Sequence, residues 1–176
     1  MKSCTESVAK SYLKKTADIQ NNYALAFFGL ANVHVDLKEY NDAVSCYQKA
    51  IEINPNLVGA HNNLGLVFRG LNDFQNAISC YEKVIAMKSD HVGAHHNLAL
   101  AYKELGEFGK AIKSHQIAIK YEPDNSLHYY YLSELKKDVL DSELKIKLKK
   151  IIKNDNNTKT NIAYGNYLLS RYEKKI

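Results

Sequence analysis

Shifted by 34 residues the chain matches itself, and this self-similarity limits the possible folds more than any other property of the sequence. Cys46-Tyr47 aligns with Cys80-Tyr81, and Ala60-His61-Asn62-Asn63-Leu64 aligns with Ala94-His95-His96-Asn97-Leu98. Three whole units follow, at residues 24–57, 58–91 and 92–125. With each unit numbered from 1, position 7 holds Leu30, Leu64 and Leu98, and position 8 holds Ala31, Gly65 and Ala99. Position 17 holds Tyr40, Phe74 and Phe108; position 20 holds Ala43, Ala77 and Ala111; position 24 holds Tyr47, Tyr81 and His115. This spacing is helical. Small residues at 8 and 20 let two helices approach closely, and large apolar residues at 7, 17 and 24 fill the space beside that contact. Polar pairs at Lys38-Glu39, Asn72-Asp73 and Gly106-Glu107 predict a short turn, and Pro55 and Pro123 stop the second helix. Each unit is a helical hairpin with too little core of its own, so stability has to come from stacking.

The flanks read as worn copies. Residues 1–23 predict an N-terminal half-repeat helix over Glu6–Asn21, with Ala9 and Leu13 at positions 20 and 24. Residues 126–157 predict a degenerate fourth repeat. Its first helix carries Leu127, Tyr131, Leu132 and Leu135; its second, roughly Ser142–Lys153, carries Leu144, Leu148, Ile151 and Ile152. Asp155-Asn156-Asn157-Thr158 reads as a linker, and residues 158–176 as a terminal capping helix or half-repeat with Tyr164-Gly165 at positions 7 and 8. The apolar face of that helix (Ile162, Tyr164, Leu168, Leu169, Tyr172) needs cover. It folds back on the array, packs on a second copy of the chain as a homo-oligomer contact, or meets further sequence of a longer protein.

Composition narrows the function classes. Of 176 residues 45% are hydrophobic and 24% charged, which excludes a wholly disordered chain, and 2 prolines with 8 glycines exclude collagen-like architecture. The longest apolar run, Ala24–Ala31, is far too short to span a bilayer. No secretory signal is read at the start, and the odd, widely spaced Cys4, Cys46 and Cys80 form no disulfide framework, so a cytoplasmic protein with reduced thiols is expected. Asn156-Asn157-Thr158 matches a glycosylation sequon by chance on that reading.

Catalytic signals are weak. No dinucleotide-binding, nucleophile-elbow or phosphate-loop motif is present, and Gly106-Glu107-Phe108-Gly109-Lys110 lies at a helix-helix turn with no strand before it. His91, His95 and His96 are the best metal candidates, since residues four apart share a helix face. Yet His95 fills the same packing slot as His61, and no carboxylate or cysteine completes the set. Cys46 and Cys80 recur on successive second helices, whose axes are expected about 8–10 Å apart, too far for a relaxed disulfide. No catalytic residue, cofactor or metal is therefore expected, and the chain is expected not to be an enzyme.

Across residues 24–125 the pattern resembles the tetratricopeptide-repeat family, with His34, His61, His95 and His115 at usually aromatic sites and Ser89 at the proline site as departures. The resemblance implies an all-α fold, a right-handed superhelical solenoid of antiparallel helix pairs. It also implies that positions 2, 5, 6, 9, 12 and 13 of the first helices line a concave groove. These positions hold Leu25, Phe28, Asn32, Val35 and Asp36 in the first unit and Asn62, Asn63, Leu66 and Arg69 in the second. The third gives His96, Asn97, Leu100 and Lys103, and the fourth Leu127, Tyr130, Tyr131 and Glu134. Asn63 and Asn97 share position 6, and a side-chain amide can pair with any peptide bond. This is similar to the asparagine ladder of O-GlcNAc transferase, with two rungs, because Gly29 and Tyr131 hold that position in the outer units. Repeat modules that grip acidic chaperone tails use a carboxylate clamp. Asn32 and Asn63 match its amides, but Phe28, Gly93 and Asn97 stand at its basic positions, so no such grip is expected.

The expected function is a non-enzymatic scaffold that binds a protein or an extended peptide in this groove. The alternative is an accessory module of a larger enzyme, a sulfotransferase or glycosyltransferase. Leu132–Glu173 loosely resembles the segment that joins such repeats to a sulfotransferase domain in some bacterial proteins. The formal charge of +5 is localised. Residues 1–126 hold 13 basic and 13 acidic residues, and residues 127–176 hold 11 basic and 6 acidic. Lys145, Lys147, Lys149, Lys150 and Lys153 cluster on one helix, a face that could meet phosphates or an anionic membrane. Because the groove does not carry the excess, neither nucleic acid nor membrane is expected as a partner.

Overall fold

The structure, a computed structural model, describes residues 10–12, 15, 24–136, 141–154 and 157–174. Among these residues nine helices of ten or more residues form. They are α1 (Ala24–Asp36), α2 (Tyr40–Ile53), α3 (Val58–Gly70), α4 (Phe74–Met87), α5 (Val92–Glu104), α6 (Phe108–Tyr121), α7 (Ser126–Leu135), α8 (Ser142–Ile152) and α9 (Lys159–Glu173). First helices start at Ala24, Val58, Val92 and Ser126, and second helices at Tyr40, Phe74, Phe108 and Ser142, so the 34-residue phase runs into the fourth pair. The all-α fold of helix-pair repeats expected from the sequence is what forms. The expected helix over Glu6–Asn21 lies largely outside the described residues, as do its Ala9 and Leu13, and as do Asp155 and Asn156 of the linker. Lys10–Tyr12 and Lys15 are helical, and the Lys10 ammonium donates to Glu39 Oε2 at 2.5 Å.

One turn recurs in all three units. Position 15 is left-handed each time, at Lys38 (φ 62°), Asn72 (φ 60°) and Gly106 (φ 74°). Its N–H reaches back to the carbonyl of Val35, Arg69 or Lys103, and the next N–H reaches that of His34, Phe68 or Tyr102 at 2.8–2.9 Å. These paired bonds are the Schellman ending of a helix, which caps carbonyls that the last turn leaves open. Gly106 adopts this conformation without strain and Asn72 tolerates it, whereas Lys38 is held there against the clash of its Cβ.

The chain divides into two compact units, Met1–Ala94 and His95–Ile176. In the first, α1 packs on α2, α2 on α3, and α3 on α4. Its core holds Ala31, Ala43, Tyr47, Ala50, Ala60, Leu64, Val67 and Cys80. The alanines of positions 8 and 20 are fully buried, as the close helix approach requires. At position 8 of the second repeat even alanine would not fit, because a Cβ on Gly65 would lie 2.6 Å from the buried Tyr81 ring.

In the second unit α7 packs on α6, and α9 lies against both α8 and α7. Tyr129, Leu144, Leu148, Ile151 and Leu168 form one apolar cluster, worth about 1.5–3 kcal/mol for each large side chain removed from water. The terminal helix thus folds back within this unit. Gly165 allows the approach, since a Cβ there would stand 2.6 Å from Ile152. Asn161 ties the start of α9 to the start of α7: its Oδ1 accepts the Ser126 N–H at 2.5 Å, and its Nδ2 donates to the Asp124 carbonyl at 2.8 Å. At the other end Arg171 pairs with Glu134. Two lysines of α8 are also engaged, with Lys145 over the Tyr172 ring at 4.5 Å and Lys147 over Tyr129 at 5.4 Å.

Candidate functional site

In the first unit the side chains at positions 5, 6 and 9 of α1 and α3 converge. Asn32 and Asn63 lie in one cleft of about 400 Å³, walled by Val35, Leu66 and Val67 and closed by Tyr40 and Tyr47. Asn32 is the hub. Its Oδ1 accepts the Tyr47 hydroxyl at 2.5 Å and the Asn63 amide at 3.1 Å. Asn63 in turn accepts from Asn62 Nδ2 at 3.3 Å. Both ends of the Asn63 amide are therefore used inside the chain, which the ladder reading did not foresee. Burial raises the Tyr47 hydroxyl above its ordinary pKa, with Asp36 adding to the rise, so it stays a donor. Phe28 leans on the Tyr47 ring at 5.9 Å, while Leu25 is exposed. The Arg69 charge offsets part of the effect of burial on Tyr81, whose hydroxyl is nonetheless pushed up to about 12.

The second unit presents aromatic rings where the first presents amides. Tyr130 is ringed by Tyr131, Tyr164 and Tyr167 at centroid distances of 5.1–5.4 Å. Tyr130, Tyr164, Tyr167, Ala163, Thr160 and Lys159 line an open hollow of about 560 Å³. Asn97 and Leu100 are half-buried on α5. From sequence, Tyr164 falls on the apolar face of the terminal helix and Tyr167 is not singled out; neither is assigned to this surface, because that helix reaches it only by folding back.

Three histidines meet behind these rings. His96 of α5, His115 of α6 and His128 of α7 each offer a ring nitrogen, and the three atoms lie within 4.8 Å of one another. The His115 ring is fully buried, stacks on Tyr131 at 5.5 Å, and has no hydrogen-bond partner at either nitrogen. Burial, then His96, His128 and Lys103, push it down to about 3, so the imidazole is neutral. His128 is buried with Nδ1 unpartnered and Nε2 3.4 Å from Glu122 Oε2, and burial lowers it against the pull of that carboxylate. The histidines singled out from sequence go elsewhere, apart from His96. His91 Nδ1 accepts the Ala94 N–H at 3.0 Å, and the buried His95 stacks on Tyr121. The available signals were His115 at a position held by Tyr47 and Tyr81, and His128 at one held by Ala26, Ala60 and Ala94. A second group, His34, Glu39 and Asp42, is engaged with Lys10. The Lys10 and His34 contacts hold the Glu39 carboxyl below its ordinary range.

Neither Cys46 nor Cys80 is bridged, and burial pushes the Cys80 thiol up to about 11. Among the described residues no helix is long and apolar enough to cross a membrane.

Family models described as TPR repeat and tetratricopeptide repeat match residues 31–71, 58–91 and 94–127, together more than half of the chain. The chain belongs to the tetratricopeptide-repeat family, whose members are scaffolds for protein–protein contact. No curated protein matches it in sequence. Among solved structures it is similar in fold to MamA 41-end from Desulfovibrio magneticus RS-1, at 19% identity and TM-score 0.71, covering 96% of this chain and 84% of that one. It is also similar to the first TPR of Spaghetti (RPAP3) bound to the HSP90 peptide SRMEEVD, at 20% identity and TM-score 0.62, covering 67% of this chain and 94% of that one. The Arabidopsis OM64 TPR domain gives 24% identity and TM-score 0.62, over 65% of this chain and 94% of that one.

Proposed function

We propose that the protein is a non-enzymatic scaffold whose first helices hold an extended, largely uncharged peptide segment of a partner protein. The observation that carries this reading is the Asn32–Tyr47–Asn63 cluster. Two donors fix the Asn32 carbonyl, which turns the amino edge of that planar amide away from them. An amide oriented before binding can meet a peptide carbonyl at little entropic cost. Val35, Leu66 and Val67 beside it supply apolar walls for alternate side chains of the ligand. In the second unit the Tyr130, Tyr164 and Tyr167 rings offer rigid contact area of the kind that dominates binding energy. The Spaghetti repeat is bound to an acidic HSP90 peptide; here Asp36 at the cleft and the lack of cations at Phe28 and Asn97 favour a neutral segment.

The test is selection from a displayed random peptide library against the full chain. Enriched peptides should be poor in Asp and Glu and should bind Asn32→Ala/Asn63→Ala at least ten-fold more weakly. Equal binding by the double variant would defeat the reading.

A further inference from the structure

We propose that His96, His115 and His128 form a divalent transition-metal site, with zinc the ion it fits best. Three imidazoles from three successive helices converge, and their ligating nitrogens lie within 4.8 Å of one another. A triangle of that size puts its centre at most about 2.8 Å from each corner, so movements of under 1 Å per ring bring all three to the Zn–N distance of about 2.0–2.1 Å.

The chemistry of the donors supports an ion more than simple packing. A fully buried imidazole with both nitrogens unpartnered, as His115 has, leaves polar atoms without hydrogen bonds, and buried polar atoms are seldom left so. His128 repeats this at Nδ1 while Glu122 holds Nε2. A carboxylate on the far nitrogen is the arrangement that fixes the tautomer and orientation of a zinc-bound histidine. Neutral imidazole is a good ligand for zinc, copper and nickel, and three histidines leave a fourth position open. His96 is half-buried, which gives an ion a way in. The Lys103 ammonium opposes a cation here, and the Glu122 carboxylate beside His128 favours one.

The repeat supplies natural counterparts for two substitutions, and the first repeat already carries tyrosine at position 24 with alanine at position 8, the pairing that His115→Tyr would make with Ala99. His115 stands where the first two repeats carry Tyr47 and Tyr81, and His128 where three first helices carry Ala26, Ala60 and Ala94. The chelator-treated 176-residue chain, with its His115→Tyr and His128→Ala variants, each checked for helix content by circular dichroism, is titrated calorimetrically with Zn2+ alone. Co2+ is followed by visible absorption. Wild type should take up one equivalent and show the intense cobalt bands of a low-coordinate site, and both variants should lose them. Glu122→Gln should weaken uptake about 10–100-fold. Absence of uptake by wild type, or uptake by folded His115→Tyr equal to wild type, overturns the proposal.

Discussion

Replacing Gly65 by alanine tests the packing logic of the repeat most sharply. Position 8 holds Ala31 and Ala99 in the neighbouring repeats, so the alignment alone makes alanine look harmless. The structure predicts the opposite. The new Cβ would stand 2.6, 2.9 and 3.0 Å from three atoms of the Tyr81 ring, and that ring is completely buried. Overpacking of this kind costs about 1–3 kcal/mol. Removing a glycine from a helix interior returns about 1 kcal/mol. The net expectation is a loss of up to about 2 kcal/mol, at about 2–4 °C in Tm per kcal/mol for a chain of this size. Gly109→Ala on α6 is the control: beyond its own stretch of helix backbone nothing lies within 4 Å of the added Cβ, so it should gain about 0.5–1 kcal/mol. Urea unfolding followed by circular dichroism reads both. In a Tyr81→His background, which copies the Ala99 and His115 pairing of the third repeat, the cost of Gly65→Ala should shrink by about 1 kcal/mol. A Gly65→Ala protein as stable as Gly109→Ala would refute the reasoning.

Other expectations follow from the same geometry. Lys38→Gly removes an L-residue from the left-handed turn and should stabilise by about 1 kcal/mol in the same urea assay. Tyr47→Phe deletes the bond to Asn32 and should cost about 1 kcal/mol, read in the same assay. Cys80 has a thiol pKa of about 11 when folded, against 9.0 ordinarily, so it stays protonated and iodoacetamide at pH 8 should label it only after unfolding. By linkage its contribution to stability is complete below pH 9 and is lost as pH rises from 9 to about 11, because the unfolded thiol ionises first.

The repeat made most of the fold legible. Helix starts at Ala24, Val58 and Val92 follow from the 34-residue shift, and the polar pairs at positions 15 and 16 sit at the left-handed turns. Asn32, Asn63 and Leu66 could be assigned to one surface because positions 6 and 9 face the same way on a helix. The partners of those amides could not be read in that way. Whether Asn63 is presented to a ligand or bonded to Asn32 depends on the distance between helices, and periodicity carries no such distance. The histidine cluster was hidden for the same reason. Its members come from three helices, and two of them replace the residues that define their repeat positions. The cover of α9 was legible as a need, but the fold-back that meets it rests on Gly165 and on the Asn161 bonds to the α7 start.

Backbone amide NMR of the full chain with a library-selected peptide tests the central claim most directly. The account predicts that the largest shift changes fall on the first-helix face of the first unit, at Asn32, Asn63 and Leu66. Changes confined to the outward faces of α2, α4 and α6, with these residues unmoved, would contradict it.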